Sequence, residues 1–145
     1  MNSAFKSKNI FSNLKYAYQR IKRGYCDADL WEIDGWFLTV VPDMLKQYNK
    51  TRKGYPEILR RKYYEKNKNT LNIPYEKFIC DCGEKAGEPF DREWTEILNQ
   101  MYEGFETLND LRLNNYQSPK GQSSAEEIKN RAFDLFSEWF FNLWD

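Results

Sequence analysis

Trp94, Leu98, Met101, Phe105 and Leu108 recur at a four-three-four-three spacing. A strand alternates every two residues and cannot give that period; an α-helix with one apolar seam does. The seam sets the class of fold, because a helix of this kind is stable only when a second helix covers it. The spacing predicts a long helix that starts at Asp91. The chain's last segment supplies a cover. Ser123-x-x-Glu126 and Ser124-x-x-Glu127 are overlapping capping boxes that open a final helix. Ile128, Ala132, Leu135, Trp139 and Leu143 form one apolar stripe on it, and Phe133, Phe136, Phe140 and Trp144 form a second. A helix apolar on two sides lies in the middle of a bundle or joins subunits. Leaving one such side chain bare forgoes roughly 1.5–3 kcal/mol. The second stripe is therefore a candidate oligomer or partner face, and a homo-oligomer is expected.

The upstream half also reads as helical. Phe11, Leu14, Tyr18 and Ile21 follow a three-to-four spacing, with Ser12 or Asn13 as the expected N-cap. Arg20, Lys22 and Arg23 fall in the last turn, and Gly24 suits the left-handed stop. A second helix is predicted from Asp27 to about Lys53, carrying Leu30, Ile33, Phe37, Val40, Met44 and Tyr48. Such a rod is about 40 Å long, and Pro42 is expected to kink it. Pro56 to Lys68 reads as a short basic helix. Asn67 to Gly87 reads as a long loop with an extended piece at Tyr75–Cys80, mobile or inserted around 67–89. The expected architecture is an all-α helical bundle in one domain, 1–145, the right size for a single core.

Several chemistries are excluded by what the 145 residues lack. There is no histidine, which removes Ser-His-Asp and Cys-His nucleophiles and His-containing zinc sites. Cys26, Cys80 and Cys82 are too few for a disulfide scaffold, and Cys80-x-Cys82 has no second pair for a four-ligand zinc site. No glycine-rich phosphate loop is present. No catalytic residue, metal or cofactor is expected. No apolar run approaches the roughly 18 residues of a membrane span. With no apolar leader either, the expected location is the cytoplasm, without a membrane partner. The carboxylates Glu93-x-x-Glu96 and Glu103-x-x-Glu106 leave one enzymatic alternative, a Mg-dependent all-α nucleotide hydrolase. Both pairs lie on one helix, which fits a solvated face better.

Net charge is zero, with 22 Lys+Arg against 22 Asp+Glu. The distribution is uneven: residues 1–68 hold 15 cations and 7 acids, whereas residues 69–145 hold 7 cations and 15 acids. The halves can pair with each other, or the basic half can face an anionic partner. Lys22-Arg23-Gly24-Tyr25 is echoed by Arg52-Lys53-Gly54-Tyr55. Cations beside a tyrosine grip a phosphate and stack on a base or sugar, although cations before a glycine also mark ordinary helix ends. The candidate ligand residues are Arg20, Lys22, Arg23, Tyr25, Asp27, Trp31, Asp34, Arg52, Lys53 and Tyr55. The basic aromatic stretch Arg52–Lys68 suits nucleic acid less well, as no nucleic-acid-binding motif accompanies it.

Arg23-Gly24-Tyr25-x-Asp27-x-Asp29-Leu30-Trp31-x-Ile33-Asp34 is followed by Leu45-Lys46 and Gly54-Tyr55-Pro56. Trp94-x-x-Ile97-Leu98-x-x-Met101-x-x-x-Phe105 comes next, and Leu135-Phe136-x-x-Trp139-Phe140-x-x-Leu143-Trp144 closes the chain. Together these blocks resemble an uncharacterised family of small helical bacteriophage and prophage proteins. The stretch Glu57–Glu88 lies between them. The resemblance implies a viral or prophage origin, an infected or lysogenic bacterial host and a mostly helical fold; it supplies no activity and no site residues. The expectation is a non-enzymatic binding protein that sequesters an anionic, nucleotide-like host signal in counter-defence. The alternative is an adaptor or inhibitor that docks on a host or viral protein through the aromatic last helix.

Overall fold

The computed structural model describes residues 3–81, 87–117 and 123–143. Every regular element among them is helical. The elements are α1 (Ser3–Arg23), a 3-10 turn (Asp29–Trp31), α2 (Ile33–Thr51), α3 (Glu57–Leu71), α4 (Tyr75–Asp81), α5 (Glu88–Leu113), α6 (Ala125–Trp139) and a closing 3-10 turn (Phe140–Asn142). The chain is an all-α helical bundle. Backbone proximity divides it into two compact units, Met1–Val40 and Val41–Asp145, and the boundary falls inside α2 beside Pro42.

In the first unit α1 ends where the sequence places its stop. Gly24 takes φ 81° and its N–H donates to Arg20 O at 2.9 Å. The helix begins at Ser3 and not at Ser12 or Asn13. Both are helix-compatible polar residues with no Pro or Gly before them, so nothing local forces a start there. α2 does not begin at Asp27. The chain from Gly24 turns first, Asp29–Trp31 closes a 3-10 turn, and Trp36 N donates to Glu32 O as the α ladder starts. α2 thus spans 19 residues, about 28 Å and not 40 Å.

In the second unit the seam on α5 is the core. Trp94, Leu98, Met101 and Phe105 are fully buried and Leu108 nearly so. α6 lies against α5, with its Ala132 and Trp139 buried. Trp94 and Trp139 meet at 5.2 Å between ring centroids. The two helices come close at a pair of small residues: a Cβ added to Gly104 would lie 3.0 Å from Ala132 Cβ. The capping box at the start of α6 forms as read: Glu127 N–H donates to Ser124 Oγ at 3.2 Å, and Ser124 N–H donates to Glu127 Oε2 at 2.9 Å.

The stretch read as a long loop is largely helical. α3 continues to Leu71, Asn72 takes the left-handed cap at φ 48°, and α4 follows where an extended piece was expected. Packing decides this: buried Phe78 sits among Tyr63, Tyr64 and Tyr75, with centroids 5.5–6.2 Å away. Residues 82–86 of the expected loop, Cys82 among them, lie outside the described residues.

Candidate functional site

The first basic cluster belongs wholly to the first unit and closes on itself. Arg20 grips Asp29 with two parallel bonds, Nε to Oδ2 at 3.2 Å and Nη2 to Oδ1 at 2.7 Å. Asp29 Oδ2 also accepts the Cys26 N–H at 2.7 Å. Asp27 accepts from Gln19 Nε2 at 2.7 Å, Lys15 Nζ at 3.0 Å and Arg23 Nη2. Arg23 Nε donates to Tyr25 O, and its guanidinium lies 4.7 Å from the centre of the Tyr25 ring. The structure therefore brings together Arg20, Arg23, Tyr25 and Asp27 from the predicted set. It adds Lys15, Gln19, Cys26 and Asp29, which site reasoning left out. Lys15, Gln19 and Arg23 stand at steps of four and so share one helix face, a spacing that pointed to their common partner. Asp34 is exposed at the start of α2, and Trp31 is 89% exposed.

These contacts shift both acids. Gln19, Arg23 and Lys15 hold the Asp27 carboxyl well below the usual carboxylate range. Arg20 and the Cys26 N–H do the same for Asp29. A carboxylate with a depressed folded pKa stabilises fully above its unfolded value of about 3.9 and loses that contribution as pH falls through the folded value. Asp27 is 43% exposed, which limits its share of the effect, whereas Asp29 is only 12% exposed. The expected result is local: protection of the Cys26 and Asp27 amides against hydrogen exchange persists at pH 5 and decays as pH falls from about 4 towards 2. Protection unchanged down to pH 2 would contradict this network.

The second cluster is an internal clamp. Arg52 follows the last residue of α2, and its side chain is 6% exposed. Nε donates to Asn49 Oδ1 at 3.1 Å, Nη1 to Gly54 O at 2.6 Å and to Asp91 Oδ1, and Nη2 to Asp91 O at 3.2 Å and Thr95 Oγ1 at 2.6 Å. A guanidinium has five N–H donors, and all are engaged. Tyr55 is equally occupied. Its hydroxyl accepts from Arg60 Nη2 at 2.5 Å, its ring lies 5.6 Å from Phe90, and a Cβ on Gly87 would come within 3.2 Å of its oxygen. Lys53 lines a shallow groove with Gly54, Gly87, Asp91, Arg92 and Thr95, where the Asp91 carboxylate opposes an anion.

The remaining candidates sort by contact. Tyr63 and Tyr64, the aromatics inside the basic stretch Arg52–Lys68, pack with Phe78. Lys62 of the basic stretch pairs with Glu138 at 2.9 Å, and its ammonium sits 4.6 Å from the Trp139 ring centre. Glu93, Glu96, Glu103 and Glu106 are exposed on α5; Glu106 pairs with Lys46 at 3.3 Å. Among the described residues no group of three His, Cys, Asp or Glu is placed to hold a metal ion. Along α6 a run of edge-to-face aromatics leads outward. Phe133 and Phe136 meet core residue Phe105 at 5.1 and 5.6 Å, Phe136 meets Phe140 at 5.5 Å, and Phe140 meets Phe141 at 5.6 Å. Phe133, Phe140 and Phe141 are exposed, Phe141 by 85%. Trp144 lies outside the described residues.

No helix among the described residues is long and apolar enough to cross a membrane. Comparison with protein-family models, curated proteins and solved structures gives no match.

Proposed function

We propose that this chain is a non-enzymatic protein-binding module, an adaptor or inhibitor whose contacts are apolar. The observation that carries it is a contrast between two kinds of surface. The arginines that would grip an anion, Arg20, Arg23 and Arg52, are engaged with Asp29, Asp27 and Asp91. Large apolar side chains stand exposed, among them Phe140 and Phe141 after α6 and Ile10, Leu14 and Ile21 on α1. Exposed aromatic groups anchored from beneath are the usual energetic centres of protein interfaces. A viral or prophage origin, as the resemblance implies, suits a small protein that acts by occupying another protein's surface.

The test has two arms. A thermal-shift panel of nucleotides should leave the melting temperature unchanged, whereas a tight ligand would raise it with concentration. Bacterial lysate passed over the immobilised chain should yield one protein at a stoichiometric level, lost with Phe141→Asp. A nucleotide that stabilises the chain, together with capture indifferent to Phe141→Asp, would return the reading to anion sequestration.

A further inference from the structure

The crossing of α5 and α6 leaves a groove of about 680 Å³ between them, a size in the range of small-ligand clefts. Its lining comes wholly from the second unit. Four apolar residues form the floor: Ala132, which is buried, and Gly104, Ile128 and Leu135, which are half-buried. Glu103 stands on the α5 wall and Arg131 on the α6 wall. Arg131 Nη2 donates to Ser123 Oγ at 3.0 Å, a neutral partner. Among the described residues neither Glu103 nor Arg131 has an ion-pair partner, and they do not pair with each other. They differ in this from Arg20, Arg23 and Arg52, each of which already holds an aspartate.

An acid and a base on opposite walls of an apolar groove select a molecule that carries both charges and an apolar body. A lone anion is opposed by Glu103 and a lone cation by Arg131. The spacing narrows the choice further. Glu103 immediately precedes Gly104, Arg131 immediately precedes Ala132, and Gly104 and Ala132 make the close approach of the two helices. The charged residues therefore flank the narrow waist and not the two ends of the groove, so the ligand's own charges must lie close together. We infer that the groove binds a free α-amino acid with an apolar side chain. The ligand's ammonium donates to the Glu103 carboxylate, and Arg131 donates to the ligand's carboxylate, both charge-assisted bonds. The ligand's side chain covers Ile128 or Leu135. Phe140 and Phe141, on which the protein-binding reading rests, line no part of this groove, so either reading can fail without the other.

The experiment titrates free leucine into the full, isotope-labelled chain and follows backbone amide shifts by NMR. Saturable shifts should centre on residues 100–107 and 128–135, with a Kd of about 1 mM or tighter. Isocaproate lacks the ammonium and isoamylamine lacks the carboxylate; each should bind at least tenfold more weakly than leucine. Added salt should weaken leucine binding. Glu103→Gln should lower leucine affinity at least tenfold and abolish its advantage over isocaproate. Arg131→Gln should do the same against isoamylamine. Both substitutions lie on exposed positions and leave the Gly104–Ala132 crossing intact, and helical circular dichroism checks each fold. No saturable shift by about 20 mM leucine overturns the site. So does an analogue that binds as tightly as leucine, a folded variant that binds leucine as wild type does, or a set of shifts centred elsewhere in the chain.

Discussion

Trp94→Ala should destabilise the second unit by about 3–5 kcal/mol, the largest loss expected from a single substitution here. Trp94 is fully buried on the α5 seam and meets Trp139 at 5.2 Å. Its removal leaves a hole that α6 cannot fill without moving Trp139, which also carries Lys62 over its ring at 4.6 Å. The indole N–H has no hydrogen-bond partner among the described residues. Trp94→Phe therefore loses volume but no bond, and should cost well under half as much as Trp94→Ala. Urea titrations followed at 222 nm would compare the two. Equal costs would mean that the nitrogen, and not the ring volume, matters.

Arg52→Ala should cost about 2–4 kcal/mol, because charged hydrogen bonds are lost together from a buried side chain. The lower end is favoured by Asp91, which is half exposed and can rehydrate. Arg52→Lys should recover little, since an ammonium has no planar fork to reach Asn49, Gly54, Asp91 and Thr95 at once. Lys53→Ala next to it should change stability by less than about 0.5 kcal/mol. The same denaturant titrations decide this. If Arg52→Ala left stability unchanged, Arg52 would be free for a ligand after all.

The parts of the fold legible in the sequence are those with a strong period or a local signature. The α5 seam from Trp94 to Leu108 is the buried core, and the Ser124 capping box and the Gly24 stop stand where they were read. Local patterns carry less where distant packing decides. Tyr75–Asp81 is too short to show a period, and it is helical because Phe78 reaches the tyrosines of α3. The Asp27 N-cap failed because Arg20 and Arg23 hold the following turn in a hydrogen-bonded hook before α2 can start. The candidate site was legible as a place and not as a role. Arg20, Arg23, Tyr25 and Asp27, close in sequence, do meet in one network, whereas Arg52 and Tyr55 turn to different partners, Arg52 to Asp91 and Thr95 and Tyr55 to Arg60 and Phe90. Sequence could not show that Asp29 and Asp91 occupy those guanidinium groups, because the partner of Arg52 lies 39 positions away.

The narrow crossing of α5 and α6 also governs sliding. Gly104 admits Ala132 because neither has bulk to give, their separation being that of an added Cβ at 3.0 Å. A slip of α6 by one turn along α5, about 5.4 Å, would set Ile128 or Phe136 opposite Gly104. Neither side chain fits a gap sized for a methyl group. The crossing therefore acts as a detent: α6 has one seat on α5, and motion of the aromatic end must come from rotation or fraying of its last turn, not from a shift of register.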